Sequence, residues 1–206
     1  VRKSKIKSKN VKRVLLLILF VSLAVVLFAQ EKFADCARKS FFIFDSTSGQ
    51  QTFSGKAWYD CVMGKHIPEI SFKTIAGKKF TTGEMKGKVT VINFWYIGCA
   101  PCLAELPALN LLVQEYKNKD VLFFGITYHS AKELKAKFFS KYKFDFQIVA
   151  GAKDIADEFA FGYPTTYVID SNGIVKAAWN GGPLGEEAKT EIFLKAKPVI
   201  DGMLAK

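Results

Sequence analysis

Residues 89–107 read VTVINFWYIGCAPCLAELP, and these positions decide the fold. Val89–Trp95 is an almost wholly apolar run, the pattern of a strand covered on both faces. Cys99-Ala100-Pro101-Cys102 follows the run directly and opens a helix, because Leu103, Leu106, Leu109, Val113 and Tyr116 then recur at helical spacing. A buried strand that delivers two cysteines to a helix start is a strand-helix unit of a parallel sheet.

Working outward, the same alternation continues. Ile70–Ile75 reads as a strand before a turn at Ala76-Gly77-Lys78, and Val121–Thr127 reads as a second buried strand. Leu134, Phe138 and Tyr142 mark a helix, Phe144–Val149 a short strand and Asp154–Phe159 one or two helical turns. Thr165–Asp170 and Ile174–Trp179 form a hairpin through Ser171-Asn172-Gly173, since Asn-Gly supplies the positive φ a tight turn needs. A last helix starts at Glu186 and is expected to be interrupted near Pro198. The order β-β-α-β-α-β-α-β-β-α implies a three-layer α/β fold with a mixed central sheet flanked by helices.

Upstream, Phe41–Asp45 and Thr52–Tyr59 read as two weak strands around the polar turn Ser46–Gln51, a hairpin within an extension over 31–63. Residues 64–206 form the folded domain. Residues 14–30 are uncharged, a helix of about 25 Å at ~1.5 Å per residue, somewhat short of the ~30 Å hydrocarbon core. Neither Ala29 nor Ala34 offers a good signal-cleavage position, because Leu27 and Lys32 fall where a small residue is preferred. An uncleaved transmembrane anchor is therefore favoured over a cleaved signal segment. Seven of the 30 basic residues lie in the leader 1–13 and no acid precedes Glu31, so the rest carries 23 basic against 19 acidic groups. The net charge of +11 belongs largely to that leader. It argues against a nucleic-acid-binding face on the domain and places residues 1–13 in the cytoplasm and 31–206 outside it.

The cysteine pair carries the chemistry. The first turn of a helix presents unpaired N–H groups and the positive end of its dipole, which favours a thiolate at Cys99. Pro101 suits that turn because its missing N–H would have had no partner there. Cys102, one turn on, is expected deeper, as the thiol that resolves a mixed disulfide formed at Cys99. A zinc or copper site is the rival, although Cys36, Cys61, His66 and His129 form no second short-spaced ligand pair. Inert packing of both thiols is the third reading.

The segment Val91–Pro107 resembles the active-site region of the thioredoxin superfamily, and more narrowly that of the membrane-anchored TlpA/ResA-like thiol-disulfide oxidoreductases. Glu105 and Pro107 complete a Cys-x-x-Cys-x-x-Glu-x-Pro pattern, Asn93 stands where thioredoxin has a buried Asp, and Gly162–Asp170 (GYPTTYVID) matches the segment that carries the superfamily's cis-proline. The likeness covers residues 64–206. Gly98 departs from it, since the family usually has Trp before the first cysteine; glycine there removes apolar surface and is expected to loosen the loop.

The resemblance implies roles for the neighbours. Glu105, three residues after Cys102, is expected on the same side of one helix, where it would exchange a proton with Cys102; a solvated surface Glu is the alternative. Pro107 would bend that helix. Pro164 would be cis, with the backbone of Tyr163 pairing with a substrate strand. Phe94 and Trp95 read as core, and His66 and His129 as isolated. Cys36 and Cys61 read as a structural disulfide outside the cytoplasm, closing a loop worth roughly 3–4 kcal/mol, with a second redox pair as the alternative.

The expected activity is thiol-disulfide exchange with protein substrates on the periplasmic side of the bacterial inner membrane, without cofactor or metal beyond the Cys99–Cys102 disulfide. By resemblance the chain acts as a reductant, for example of apocytochrome c, fed by a membrane thiol-electron carrier. A peroxiredoxin shares the fold but would want Thr or Ser where Tyr96 precedes Cys99. A copper-delivery module would space its cysteines by three and add a histidine.

Overall fold

The computed structural model describes residues 32–41, 43–44, 51–52 and 55–205. The leader and the apolar segment 14–30 lie outside the described residues, and with them the anchor expected there. Among the described residues no helix is long and apolar enough to cross a membrane.

The chain begins with helix α1 (Phe33–Phe41), strands β1 (Ile43–Phe44) and β2 (Gln51–Thr52), and helix α2 (Gly55–Val62). Strands β3 (Ser71–Lys73) and β4 (Lys79–Thr81) and the short helix α3 (Thr82–Met85) lead to β5 (Val89–Phe94). Helices α4 (Ala100–Ala104) and α5 (Leu106–Glu115), strand β6 (Val121–Ile126), helix α6 (Ala131–Lys137) and strand β7 (Gln147–Val149) follow. Helix α7 (Lys153–Phe159), strands β8 (Thr165–Ile169) and β9 (Val175–Asn180), a 3-10 turn (Glu186–Lys189) and helix α8 (Glu191–Leu204) complete it.

Strand β5 is buried at all six positions and lies at the centre of a five-stranded sheet ordered β7-β6-β5-β8-β9. It runs parallel to β6 and antiparallel to β8, and β9 returns antiparallel, so the sheet is mixed as expected. Because strand side chains alternate, the sheet divides the core in two. Ile92, Phe94, Phe124, Ile126, Tyr167 and Ile169 face one cluster with Phe33, Trp58 and Phe159. Val89, Val91, Phe123 and Val168 face the other with Leu109, Leu112 and Ile200. Helix α8 is held to α5 on that second side, where the Tyr116 hydroxyl donates to Asp201 Oδ1 at 2.8 Å and Lys197 Nζ lies 2.9 Å from Glu115 Oε1.

The amino-terminal stretch differs from its sequence reading. The hairpin is reduced to Ile43–Phe44 against Gln51–Thr52, and most of the expected second strand is helix α2. Phe33–Phe41 is a helix that was not anticipated. Both helices place apolar residues three and four apart, with Phe33 and Cys36 on α1 and Trp58 and Val62 on α2 buried together. Ile70–Ile75 contracts to Ser71–Lys73, and it pairs with β4 in a separate two-stranded sheet. Helix α8 runs through Pro198 without interruption.

Candidate redox site

The Cys99 N–H donates to Tyr96 O at 3.3 Å, closing a turn in which Gly98 has φ +90°. That conformation is glycine's in the third position of a type II turn. The space a Cβ would occupy at Gly98 is open to 4 Å. Gly98 thus sits in a hydrogen-bonded turn at a φ that suits glycine, where a looser loop was expected.

Cys99 caps α4, its Sγ accepting from the Cys102 N–H at 3.3 Å, and Pro101 occupies the first turn. Cys99 and Cys102 are joined in a disulfide with Cα atoms 5.2 Å apart. Both are covered, at 3% and 1% exposure, so depth scarcely separates them in this oxidised form.

The expected single helix is two. Helix α4 ends at Ala104, α5 begins at Leu106, and Glu105 stands at the junction with φ −85° and ψ −8°. Pro107 lies in the first turn of α5, where a missing N–H costs no intrahelical bond, rather than bending a helix interior. The junction turns Glu105 into the protein: it is 4% exposed. Asn93, on β5, donates from Nδ2 to Glu105 Oε1 at 2.9 Å and to Thr166 Oγ1 on β8 at the same distance. Burial pushes the Glu105 carboxyl up to about 8, against the opposing pull of the Asn93 hydrogen bond, and the charge of Glu191 adds to the rise. A carboxyl so placed can hold or release a proton near neutral pH. The solvated alternative for Glu105 does not describe it.

The Tyr163–Pro164 peptide bond is cis. Around it, three tyrosines from three loops meet, a grouping the sequence reading did not anticipate. Tyr96 lies 5.2 Å from Tyr163 and 5.9 Å from Tyr128, and Tyr128 lies 6.2 Å from Tyr163 between ring centroids. His129 is less isolated than it looked: its ring lies 4.5 Å from Tyr128 and its Nδ1 3.5 Å from Glu133 Oε1. Trp95 packs at 4.4 Å on Phe138 as core, and Phe94 is fully buried.

Cys36 and Cys61 form a second disulfide, joining α1 to α2. It belongs to the core cluster on one side of the sheet, while Cys99 and Cys102 belong to the cluster on the other. Among the described residues no group of three or more His, Cys, Asp or Glu is placed to hold a metal ion.

Residues 63–178 match the AhpC/TSA family. The chain is 36% identical over 135 residues to "Thioredoxin-like protein YneN" of Bacillus subtilis, covering 64% of this chain and 79% of that protein. It is 30% identical over 132 residues to "Thiol-disulfide oxidoreductase ResA" of Bacillus cereus, covering 63% and 74%. A thiol:disulfide interchange protein of the thioredoxin family from Chlorobium tepidum has the same fold, with a TM-score of 0.55 at 20% identity over 68% of this chain and 97% of that one. With a central mixed sheet, a cysteine pair capping the helix after its middle strand and a cis-proline opening β8, the chain belongs to the AhpC/TSA family of thioredoxin-fold proteins, on its TlpA/ResA-like side.

Proposed function

We propose that this protein is an extracytoplasmic thiol-disulfide oxidoreductase, anchored in the bacterial inner membrane by residues 14–30, whose Cys99–Cys102 pair exchanges with disulfides of other proteins. The observation that carries the reading is the Cys99–Cys102 disulfide at a helix start, followed three residues later by the buried Glu105. The names of the Bacillus relatives support it.

In the reducing direction, the Cys99 thiolate attacks one sulfur of a substrate disulfide and the first substrate thiolate leaves. The Cys102 N–H directed at Cys99 Sγ stabilises negative charge on that sulfur. Cys102 then loses its proton, with Glu105 as acceptor, and attacks Cys99 Sγ in the mixed disulfide. The Cys99–Cys102 bond forms, the second substrate thiolate leaves, and two electrons have passed to the substrate. Tyr163 and Pro164 form the ledge on which the substrate strand lies, its main chain pairing with that of Tyr163. Reduction of an apocytochrome c disulfide to its two thiols, with electrons returned by a membrane thiol carrier, is the cellular role that fits this direction.

The reduction potential of the full-length chain in detergent tests it. A value near −270 mV, about that of thioredoxin, identifies a reductant. A value near −120 mV, about that of a disulfide donor, overturns the reductant assignment and the cytochrome role with it.

A further inference from the structure

Glu105 has two carboxyl oxygens with different surroundings. Oε1 accepts from Asn93 inside the protein. Oε2 points toward Gly182: a Cβ built there would lie 3.7 Å from Oε2 and 3.9 Å from Pro164 Cγ. Gly182 is itself exposed and lines an open cleft of about 500 Å³ with Asn180, Gly181, Glu187, Glu191 and Lys195. A nearly buried carboxyl thus lies next to an open cleft with only a residue that has no side chain between them.

The backbone does not demand glycine at this position. Gly181 takes the left-handed conformation, φ +71°, whereas Gly182 lies outside that region, and a methyl group there would meet only ordinary contacts. The segment is also fixed in place. The Gly181 N–H donates to Pro164 O at 2.8 Å, and Asn180 Nδ2 donates to Thr165 Oγ1 at 3.1 Å. What the missing side chain leaves is access to Oε2.

We propose that Gly182 is the proton port of Glu105, keeping Oε2 open to cleft water that carries the proton between the carboxyl and bulk solvent. The inference rests on the oxidoreductase reading above. When Cys102 resolves a mixed disulfide, its S–H proton passes to the Glu105 carboxylate as the Cys102–Cys99 bond forms and the Cys99–substrate bond breaks. Near pH 7 Glu105 holds a proton and must first give it up from Oε2 to cleft water before its carboxylate can accept the Cys102 proton. It releases that proton by the same way afterwards, and the substrate thiolate takes a proton from solvent. The reverse direction uses the same path. The charged groups facing this path are Glu187 from the 3-10 turn and Glu191 and Lys195 from α8, the last two ion-paired with each other.

The test is single-turnover oxidation of the reduced full-length chain by insulin, followed between pH 6 and 9 in H2O and D2O. Gly182→Val is expected to slow resolution about tenfold near pH 7 and raise the solvent isotope effect, a part of the ~10²–10⁴-fold that positioned proton transfer supplies. Gly182→Ala, which fits without strain, changes both in the same sense by less, so the test survives misfolding of the valine variant. In a Glu105→Gln background neither substitution at Gly182 slows the reaction further. Wild-type rates in both Gly182 variants, or equal slowing with and without Glu105, overturn the port and leave the oxidoreductase reading standing. A wild-type Cys99–Cys102 pair that does not exchange with insulin overturns both.

Discussion

Asn93 donates from Nδ2 to Glu105 Oε1 at 2.9 Å, tying the middle strand of the sheet to the break between α4 and α5. Thr166 on β8 receives a second bond from the same nitrogen. The Glu105 carboxyl is therefore positioned by the sheet, although it stands where the helix that holds Cys102 ends. Its protonation should be legible in the stability of the whole fold.

Folded Glu105 releases its proton at about 8, against 4.5 for an ordinary Glu. Between those values the unfolded chain has lost the proton and the folded chain keeps it, so unfolding stability falls as pH rises and levels off above about 8. The loss is on the order of 5 kcal/mol, at about 1.4 kcal/mol per pH unit. Glu105→Gln keeps an acceptor for Asn93 and cannot ionise. The variant is expected to match wild type near pH 5 and exceed it by roughly 3–5 kcal/mol at pH 8, read as urea midpoints. Parallel pH curves for the two proteins would mean that Glu105 is ionised in the fold.

Removing the donor tests the same contact from the other side. The Asn93 bond favours the ionised carboxylate, so Asn93→Ala moves the Glu105 transition above its present value of about 8. In the proposed mechanism resolution by Cys102 uses the carboxylate as proton acceptor, so the rising limb of its pH profile is expected to shift upward by about one unit and the rate at pH 7 to fall about tenfold. An unmoved limb would detach Asn93 from the proton chemistry.

The disulfide between Cys36 and Cys61 closes 25 residues of sequence separation and staples α1 to α2. Replacing both cysteines with alanine is expected to cost about 3–4 kcal/mol in the chain-entropy account. Because the two pairs occupy opposite sides of the sheet, exchange at Cys99–Cys102 should continue at its wild-type rate where the variant is folded. Loss of turnover without loss of stability would favour the redox-relay alternative.

The strands of the sheet were legible because each is an apolar run with turn residues at its ends, and β5, β6 and β8 sit close to where periodicity puts them. The helix break at Glu105 was not, since Leu103, Leu106 and Leu109 keep helical spacing across it. Pro107 was the signal, better read as a helix start than as a kink. For α2, Thr52–Tyr59 read as a weak strand after a polar turn, yet Trp58, Cys61 and Val62 are three and four apart, the spacing that packs them on α1. The tyrosine cluster had no sequence signature, because its members come from three loops that meet only when the sheet forms. Gly98 and Gly182 looked alike as letters, but one is required by φ and the other is not.

Gly125 offers a plain check on the core. In β6 it pairs with Asn93, and a Cβ there would come within 2.7 Å of Phe144 Cε1 and 3.0 Å of Ile148 Cδ1. The Phe144 ring has little room to yield, lying 5.6 Å from Trp95 and 4.8 Å from Phe146. Gly125→Ala is expected to destabilise by about 1–3 kcal/mol, as overpacking does. The melting temperature should fall by about 2–4 °C per kcal/mol. An unchanged melting temperature would mean that the Phe144 ring moves freely.

Tyr128 offers a test of substrate recognition. It is 39% exposed, reaches Tyr96 just before the cysteine turn and Tyr163 at the cis-proline, and takes no part in the Asn93–Glu105 contact. An aromatic surface there can grip a polypeptide flanking the reacting disulfide without touching the sulfurs. Tyr128→Ala should raise KM for a protein disulfide about three- to tenfold, from the ~0.5–1.5 kcal/mol that an aromatic pair contributes. The reduction potential and the rate with a small disulfide such as oxidised glutathione should not move, because neither uses that surface. If glutathione exchange slows as much as protein exchange, Tyr128 acts on the cysteine turn through Tyr96 and the tyrosines are not a recognition surface.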